Sequence, residues 1–441
     1  MSKEDINVCG DSIYKVKGII IIGGHGKGGH FRPLLSLELP QPLFPIAGFP
    51  ILYHHIETCC KLKGIVEIIL IGFYHQDEQL SQLIYEAKLK FKIQIRYLQE
   101  FTPLGTAGGL YHFRDQIQSG NPDYFFVINS DVCGAFNLNQ MLNYHLKLKA
   151  RDHFSIMTTE ATRQQSINYG CIVHDKETNE ILHYVEKPST FVSTTINCGV
   201  YLFCPAIFTF LRIAFLKHQE ENYRLVINIF DILRQCNESI CMEKEVFQVL
   251  AGSGKLYMFP FSNFWSQIKS VGALIYSNRH MLQLYHTIHP NRLSISAPGG
   301  PRFIGDVYIH PSVTIDPSAV IGPNVSISKH CSVGAGVRLR ECIILQGVTI
   351  RDRACVLNAV IGWNVVIGEW TRIEGTPNDP NPNKPFAKMD VIPLFNEKGQ
   401  LNPSITLVGS YVDVPSEIVI LNSIVLPHKE LNESIRNEII L

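Results

Sequence analysis

An apolar residue recurs at every sixth position through much of the last third of the chain. The repeat residues are Ile309, Ile315, Ile321, Ile327, Val333, Leu339 and Leu345. Most of them are followed four positions later by a second small or apolar residue, at Val313, Ala319, Val325, Cys331, Val337 and Ile343. Neither a helix (period ~3.6) nor a half-buried strand (period ~2) produces this spacing. It predicts a parallel β-helix, whose stacked short strands share one core, whereas the strands of a β-sandwich, the weaker alternative, keep no such period.

The repeat slips at two positions and is later interrupted by a long segment. It slips at Ile350 and Val356, resumes at Ile361, Ile367 and Ile373, and then stops until Val408. Residues 375–404 lie in the gap and contain six prolines, which do not fit another coil of regular strands. We predict a loop extruded from the β-helix wall. A loop of this length is either functional or disordered, and the sequence leaves both open.

The first part of the chain has the pattern of an α/β domain, because short apolar runs alternate with longer mixed segments. Predicted strands cover residues 18–22, 65–71, 93–97, 124–129 and 154–159, and predicted helices cover residues 50–62, 76–91 and 137–149. Residues 290–301 hold three prolines and two glycines and predict a linker. We therefore expect an N-terminal extension (1–16), a Rossmann-like α/β domain (17–290), a linker (291–303) and a left-handed β-helix domain (304–441).

Charge and composition exclude several classes of protein. Lys and Arg number 39, as do Asp and Glu, so the chain lacks the basic surplus that nucleic-acid binding needs. Apolar runs stay well short of the ~20 residues of a membrane span, so we expect no membrane insertion and a cytoplasmic location. The 12 cysteines include no C-x-x-C pair, which argues against a zinc site or a disulfide framework.

The glycine-rich stretch at residues 23–29 follows the first predicted strand. Gly24, Gly26 and Gly29 fit G-x-G-x-x-G, but that dinucleotide-binding pattern must open a helix, and prolines from Pro33 onward prevent one. A Walker loop is excluded because Lys27 is not followed by Ser or Thr. Either the loop amides surround phosphates, with Arg32 as a charge partner, or the glycines only permit a tight turn.

Further motifs follow this loop along the chain. They are Leu39-Pro40-Gln41-Pro42-Leu43, Leu104-Gly105-Thr106-Ala107-Gly108-Gly109, Asn129-Ser130-Asp131, Val185-Glu186-Lys187-Pro188 and Asn197-Cys198-Gly199-Val200-Tyr201. Together with the hexapeptide repeats, this order resembles the sugar-1-phosphate nucleotidyltransferases. The segment around Trp265-Ser266-Gln267, the loop 375–404 and the end of the chain resemble more narrowly the alpha-subunit branch of the mannose-1-phosphate guanylyltransferases.

The resemblance implies a reaction of GTP with mannose 1-phosphate that gives GDP-mannose and pyrophosphate. It implies nucleotide contacts at Gly23, Gly24, Gly105 and Thr106, with Gln99 or Glu100 as a candidate reader of guanine. It implies contacts of Gly170, Glu186 and Asn197 with the mannose hydroxyls and of Lys187 with the sugar phosphate. Arg32 and Asp131 would be the catalytic residues, and Asp131 would also be the first Mg²⁺ ligand.

Three positions depart from the pattern of active relatives. His30 stands where the resemblance implies an arginine, Gln41 where it implies a lysine, and Gln267 where it implies a second metal-binding aspartate. A mostly neutral imidazole and two amides are poor substitutes for these charges. The departures predict weak or silent catalysis and doubtful Mg²⁺ binding.

The leading hypothesis is therefore a regulatory subunit. It would bind GDP-mannose or GTP and control a catalytic beta-type guanylyltransferase subunit in a hetero-oligomer that also self-associates, with the loop 375–404 reaching the partner. The alternative is an active guanylyltransferase in which Lys27 or His30 replaces the missing arginine and Asp131 alone holds the metal. A purely structural scaffold is weaker, because it leaves the ordered sugar-pocket residues unexplained.

Overall fold

The computed structural model describes residues 14–23, 40–148, 152–226, 239–390 and 392–441. Gly24, Lys27, His30 and Arg32 lie outside the described residues, so their roles stay predictions. The described residues form two compact units. We call them the α/β unit, within residues 1–24, 55–130 and 136–261, and the β-helix unit, within 25–54, 131–135 and 262–441.

A mixed sheet of nine strands forms the centre of the α/β unit. Strands up to residue 267 are Val16–Gly23 (β1), Pro45–Ile46 (β2), Phe49–Pro50 (β3), Ile65–Gly72 (β4), Gln94–Gln99 (β5), Tyr124–Asn129 (β6), Val132–Gly134 (β7), Phe154–Glu160 (β8), Gly170–His174 (β9), Ile181–Glu186 (β10), Thr195–Phe203 (β11), Leu256–Pro260 (β12) and Trp265–Gln267 (β13). The order is β10-β9-β11-β6-β1-β4-β5, and β8 pairs with both β11 and β12. Strands β6, β1, β4 and β5 are parallel, whereas β11 runs antiparallel to β6. The predicted strands are confirmed.

Helices lie between these strands, as the sequence predicts. They are Ile51–Cys60 (α1), Glu78–Phe91 (α2), Gly105–His112 (α3), Arg114–Gln118 (α4), Leu138–Lys147 (α5), Arg163–Ser166 (α6), Ile207–Val226 (α7), Gln248–Leu250 (α8) and Val271–Ile288 (α9), with short 3₁₀ turns at Gln41–Leu43 and Pro290–Arg292 and a π-helical turn at Met242–Phe247. Helix α2 shows why these helices form. Asp77 caps its first turn by accepting a hydrogen bond from Leu80 N at 2.8 Å. One face of the helix is buried and consists of Leu80, Leu83, Ile84 and Ala87. Among the described residues, no helix is both long and apolar enough to cross a bilayer.

The last third of the chain forms the predicted parallel β-helix. Its strands are Arg302–Phe303 (β14), Val307–Ile309 (β15), Thr314–Ile315 (β16), Val320–Ile321 (β17), Val325–Ile327 (β18), Ser332–Val333 (β19), Arg338–Ile344 (β20), Thr349–Ile350 (β21), Cys355–Ile361 (β22), Val366–Ile367 (β23), Arg372–Glu374 (β24), Thr406–Val408 (β25), Asp413–Val414 (β26), Val419–Leu421 (β27), Ile424–Val425 (β28), Ile435–Arg436 (β29) and Ile439–Ile440 (β30). Strands of successive coils pair in parallel, as β16, β19, β21, β23 and β26 do along one face. The repeat side chains stack inside as one core.

The predicted phase of the repeat is wrong near the middle of this domain. Ile343 and Leu345 are buried, but they pack with residues of α9, and Cys342 and Ile344 supply the inward side chains. The reason is a corner with one residue fewer between Leu339 and Ile344, where Glu341 adopts a left-handed conformation with φ 48°. Counted from Ile344, Ile350 and Val356 keep the six-residue spacing and point inward, and the same shortening recurs between Val356 and Ile361.

The long loop 375–404 leaves the coil after β24 and returns at β25. Its two ends are joined by a hydrogen bond from Thr376 N to Ser404 O at 3.0 Å. Within the loop, Asp379 forms an ion pair with Arg279 of α9 at 3.2 Å, and Leu401 is buried in the cluster around α9. The described part of the loop is therefore anchored to its own unit. The boundaries predicted at residues 290 and 303 stay a prediction.

Candidate functional site

Strands β9, β10 and β11 of the α/β unit carry the three residues predicted to contact the sugar. Gly170 begins β9 and stands opposite Glu186, the last residue of β10. A Cβ atom at Gly170 would overlap Tyr184 Oη and lie 2.8 Å from Glu186 Oε2, so no larger residue fits without displacing these groups. Asn197 lies on β11, which pairs with β9 through Ile196 and Cys171.

Asn197 and Glu186 are joined through buried tyrosines. Asn197 Nδ2 donates to Tyr184 Oη at 3.1 Å and to Tyr201 Oη at 3.0 Å, and Asn197 Oδ1 accepts from Gly199 N at 2.8 Å. Tyr184 Oη in turn donates to Glu186 Oε2 at 3.1 Å. Burial, with the nearby carboxylates, raises the pKa of Tyr184 well above its usual value, so the phenol stays a donor. These hydrogen bonds fix the positions of the Glu186 carboxylate and the Asn197 amide.

Lys187 follows Glu186 in the sequence, and its ammonium is the one cation predicted to contact a sugar phosphate. Its Nζ lies 3.5 Å from Glu186 Oε1, and its side chain is 58% exposed. Its backbone is left-handed at φ 44°, and Lys187 N donates to Tyr169 O at 3.1 Å. A non-glycine residue in this conformation is uncommon, and such residues cluster at ligand sites. The ammonium is accessible to an anion.

Two of the predicted nucleotide contacts lie at the start of α3. Gly105 has φ +78°, and a Cβ atom there would lie 2.6 Å from Ser239 Oγ, so the close approach of residues 239–240 requires glycine. Thr106 Oγ1 donates to Glu243 Oε2 at 3.0 Å. Gly23, at the end of β1, also has a positive φ and open space where a Cβ would stand.

The structure separates the two candidate readers of guanine. Glu100 is buried, accepts a hydrogen bond from the backbone of Leu104 and faces Gly109 of α3. Burial raises its pKa to about 7. Gln99 is half-buried, and its Nε2 lies 3.1 Å from His75 Nδ1. Of the two, Gln99 is the more accessible to a base.

Asp131, Gln267 and Gln41 lie together in the β-helix unit. Strand β7, which follows Asp131, pairs antiparallel with β13, which ends at Gln267. Gln267 Nε2 donates to Asp131 Oδ2 at 2.7 Å, and Ile268 N donates to Asp131 O at 2.7 Å. Gln41 Nε2 donates to Ile268 O at 3.0 Å. The structure thus brings together two of the three departures found in the sequence.

The donor set around Asp131 does not fit a Mg²⁺ site. Mg²⁺ prefers octahedral oxygen ligands at ~2.1 Å, and carboxylates are its usual protein ligands. Here the single carboxylate of Asp131 accepts an amide N–H from Gln267. In the part of the chain that the structure describes, no three His, Cys, Asp or Glu side chains gather as a metal site would require.

Sequence reasoning missed three residues of the hydrogen-bonded network around Asn197, Glu186 and Thr106. They are Tyr184, Tyr201 and Glu243. Tyr184 and Glu186 are two apart on β10, so strand alternation places them on one face and could have found Tyr184. Asn197 and Tyr201 are four apart on β11, but the register of β11 with β8 shifts between them, where Gly199 has φ 75°, so alternation gives no signal for Tyr201. Glu243 carries no such signal, because it lies in a separate π-helical turn.

A mixed α/β sheet with these motifs, followed by a parallel β-helix, defines the nucleotidyltransferase class. The family model described as "Nucleotidyl transferase" matches residues 17–283, and that described as "GMPPB C-terminal domain" matches residues 303–441. A putative glucose-1-phosphate thymidylyltransferase from Bacillus anthracis is similar at 18% identity and TM-score 0.46, over 60% of this chain and 94% of that one.

Curated relatives match nearly the whole chain. Mannose-1-phosphate guanylyltransferase regulatory subunit alpha-B of Danio rerio is 53% identical over 427 residues, 97% of this chain and 100% of that protein. Regulatory subunit alpha of Xenopus tropicalis is 54% identical over 426 residues, with the same coverage. That of Rattus norvegicus is 51% identical over 435 residues, again with the same coverage. The chain belongs to this alpha-subunit family of the nucleotidyl transferases.

Proposed function

We propose that this chain is a regulatory subunit, catalytically weak or silent, that binds GDP-mannose and controls a catalytic subunit of mannose-1-phosphate guanylyltransferase by feedback. The observation that carries the proposal is the Gln267 amide donating to Asp131 at 2.7 Å, where the resemblance implies two carboxylates. Transfer to or from a triphosphate depends on charge neutralisation and positioning. Gln41, in the same unit, stands where the resemblance implies a lysine, so a cation is lost there as well.

Retained ligand binding is supported by the α/β unit. Glu186 and Asn197 are held by the two buried tyrosines, Gly170 leaves the space that the Tyr184 hydroxyl occupies, and Lys187 keeps an accessible ammonium. These groups suit a sugar with several hydroxyls attached to a diphosphate. We propose GDP-mannose as the ligand, with GTP as a weaker one, and binding that does not require Mg²⁺.

The relatives' names imply a catalytic partner. We propose that this partner is a beta-type guanylyltransferase subunit in a hetero-oligomer, with self-association of the chain. The loop 375–404 is the proposed contact: Phe386, Leu394 and Phe395 are each about half exposed on it. Neighbouring exposed apolar side chains are typical of a protein interface.

Binding is tested by calorimetric titration of the purified chain with GDP-mannose, GTP and UDP-glucose, each with and without Mg²⁺. GDP-mannose should bind most tightly and to the same extent without the ion. Gly170→Ala should weaken its binding at least ~10-fold, because the new Cβ overlaps Tyr184 Oη. Gly300→Ala is the matched control, since a Cβ there meets nothing closer than 3.4 Å. Equal affinity of the natural chain, Gly170→Ala and Gly300→Ala for GDP-mannose would refute the proposed site.

Catalysis is tested by a guanylyl-transfer assay on the chain alone and with its catalytic partner. The alternative, an active enzyme that uses Asp131, predicts turnover that Asp131→Asn abolishes. The regulatory proposal predicts negligible turnover alone and unchanged control of the partner in the same variant. Brisk turnover by the isolated chain would reject the proposal. The relatives' naming does not favour that alternative.

A further inference from the structure

Glu243 connects two parts of the α/β unit that are far apart in sequence. It lies in the π-helical turn Met242–Phe247. Its Oε1 accepts from Tyr201 Oη at 3.2 Å, and its Oε2 accepts from Thr106 Oγ1 at 3.0 Å. Tyr201 leads to the predicted sugar contacts, and Thr106 belongs to the predicted nucleotide contacts. Such π-helical turns are rare and often occur at functional sites.

The donors fix the direction of every hydrogen bond in this network. Asn197 gives one amide hydrogen to each phenol, so Tyr184 and Tyr201 can each donate only their own hydroxyl hydrogen onward. Tyr184 donates it to Glu186, and Tyr201 donates it to Glu243. We call this network the relay; its members are Glu186, Tyr184, Asn197, Tyr201, Glu243 and Thr106. Hydrogen bonds linked in this way reinforce one another in a buried setting.

The Thr106 end of the relay is tied to the backbone of the same turn. Thr106 Oγ1 accepts from Met242 N at 2.9 Å while it donates to Glu243. Ala107 N donates to Ile240 O at 3.0 Å, so residues 240–243 hold the first turn of α3. A shift of the Glu243 carboxylate therefore moves the Thr106 hydroxyl.

We infer that Glu243 is a positioning residue that couples the sugar-contacting side chains to the nucleotide-contacting loop through Tyr201 and Thr106. A ligand group that orders the side chains at one end of the relay also orders those at the other end. The sugar half and the nucleotide half of a nucleoside diphosphate sugar therefore bind cooperatively. The inference deepens the proposed function and rests on it. Glu243 itself is not required to touch the ligand.

The binding test uses calorimetry with GDP-mannose on the full chain. Glu243→Ala should weaken binding at least ~10-fold, and Glu243→Gln should weaken it less, because the amide keeps one of the two oxygens that accept from Tyr201 Oη and Thr106 Oγ1. Glu245→Gln is the matched control in the same turn, since Glu245 accepts from Cys241 N and is not part of the relay. Unchanged affinity in Glu243→Ala would overturn the inference.

Coupling is tested with two changes at opposite ends of the relay. The effects of Thr106→Val and Glu186→Gln on GDP-mannose affinity should deviate from additivity by at least ~3-fold in the natural chain. In the Glu243→Ala background the same two effects should become additive. Additive effects in both backgrounds would contradict the coupling. If Glu243 were purely structural, the deviation from additivity would be the same in the two backgrounds.

A ligand-free measurement separates this inference from the proposed function. Tyr201→Phe keeps the ring volume and deletes only the hydroxyl, so hydrogen exchange should quicken at least ~3-fold at Gly199 N, bonded to Asn197, and at Met242 N, bonded to Thr106. Gly252 N, bonded to Ile181 O, is the reference amide. Unchanged exchange at the two test amides refutes the relay even if GDP-mannose binds. Failure of the natural chain to bind GDP-mannose refutes the proposed function instead.

Discussion

Glu100 shows how the fold changes the chemistry of one side chain. It follows β5, is 7% exposed, and faces Gly109, where any Cβ would overlap its carboxyl group. Burial raises its pKa from 4.5 to about 7, and the hydrogen bond from Leu104 only partly opposes this. Between these two pH values the folded chain binds more protons at this group than the unfolded chain does. The contribution of Glu100 to the free energy of unfolding therefore falls as the pH rises from about 4.5 to 7.

Glu100→Gln should remove this pH dependence. Above pH 7 the variant should be more stable than the natural chain by up to about 3 kcal/mol, and the difference should shrink toward pH 4.5. Denaturant unfolding at several pH values measures it. Glu86→Gln, an exposed change on α2, is the control and should give a difference close to zero throughout. A constant difference between Glu100→Gln and the natural chain at every pH would contradict the assignment.

At the scale of elements, the strand pair β7 and β13 decides what Asp131 can bind. The pairing sets Gln267 opposite Val132, beside Asp131, and the amide reaches the carboxylate directly. Aspartate at position 267 would be one methylene shorter, which leaves a gap between two carboxylates. A hard cation at ~2.1 Å from oxygens of both groups could occupy that gap.

Gln267→Asp should therefore create a divalent-cation response. Without the ion, two like charges should destabilise the chain by about 1 kcal/mol, and Mg²⁺ or Mn²⁺ should raise its unfolding temperature. Gln267→Asn, of equal length and without charge, should not respond. Differential scanning calorimetry with and without the ion decides this, and an equal response of both variants would contradict it. Guanylyl transfer should stay low, because Gln41 still lacks a charge.

At the scale of the whole molecule, the loop 375–404 is an addition to a β-helix that closes without it. Thr376 N and Ser404 O already bridge its ends at 3.0 Å, and β22 pairs with both β24 and β25 on either side of the insertion. The loop contributes one buried leucine, Leu401, and the ion pair of Asp379 with Arg279. These contacts anchor the loop to the cluster around α9 and are not part of the core inside the β-helix.

Replacing residues 378–402 by a short Gly-Ser turn should leave the β-helix folded, with an unfolding temperature lowered by only about 4 °C. GDP-mannose binding should not change, because the residues proposed to bind it lie in the α/β unit. Feedback control of the catalytic partner should be lost, as measured by guanylyl transfer at increasing GDP-mannose. A full loop carrying Phe386→Ser, Leu394→Ser and Phe395→Ser should lose control in the same way. Retained control in both chains would rule out the loop as the contact.

The sequence predicted strands and helices well where the signal is local. Apolar residues dominate the segments 124–129 and 154–159, each of which forms one strand. Asp77 directly marks the start of α2 as its N-cap. The repeat phase failed at Ile343 and Leu345, because a corner shortened by one residue leaves no mark in an apolar run. Strand alternation could have found Tyr184 of the relay, whereas Tyr201 lies beyond a shift in the register of β11 and Glu243 lies in a separate turn.

By itself the sequence determined the two architectures and the order of the motifs, because periodicity and turn residues act between neighbours along the chain. Through the resemblance it also identified Gln41 and Gln267 as positions where a charge is missing, since charge belongs to the residue type. Only the tertiary structure decided that the Gln267 amide satisfies Asp131, that Glu100 is buried and that Glu243 joins Tyr201 to Thr106. These outcomes depend on which distant segments pack together, and a hydrogen bond across such a contact has no periodic signature in the sequence.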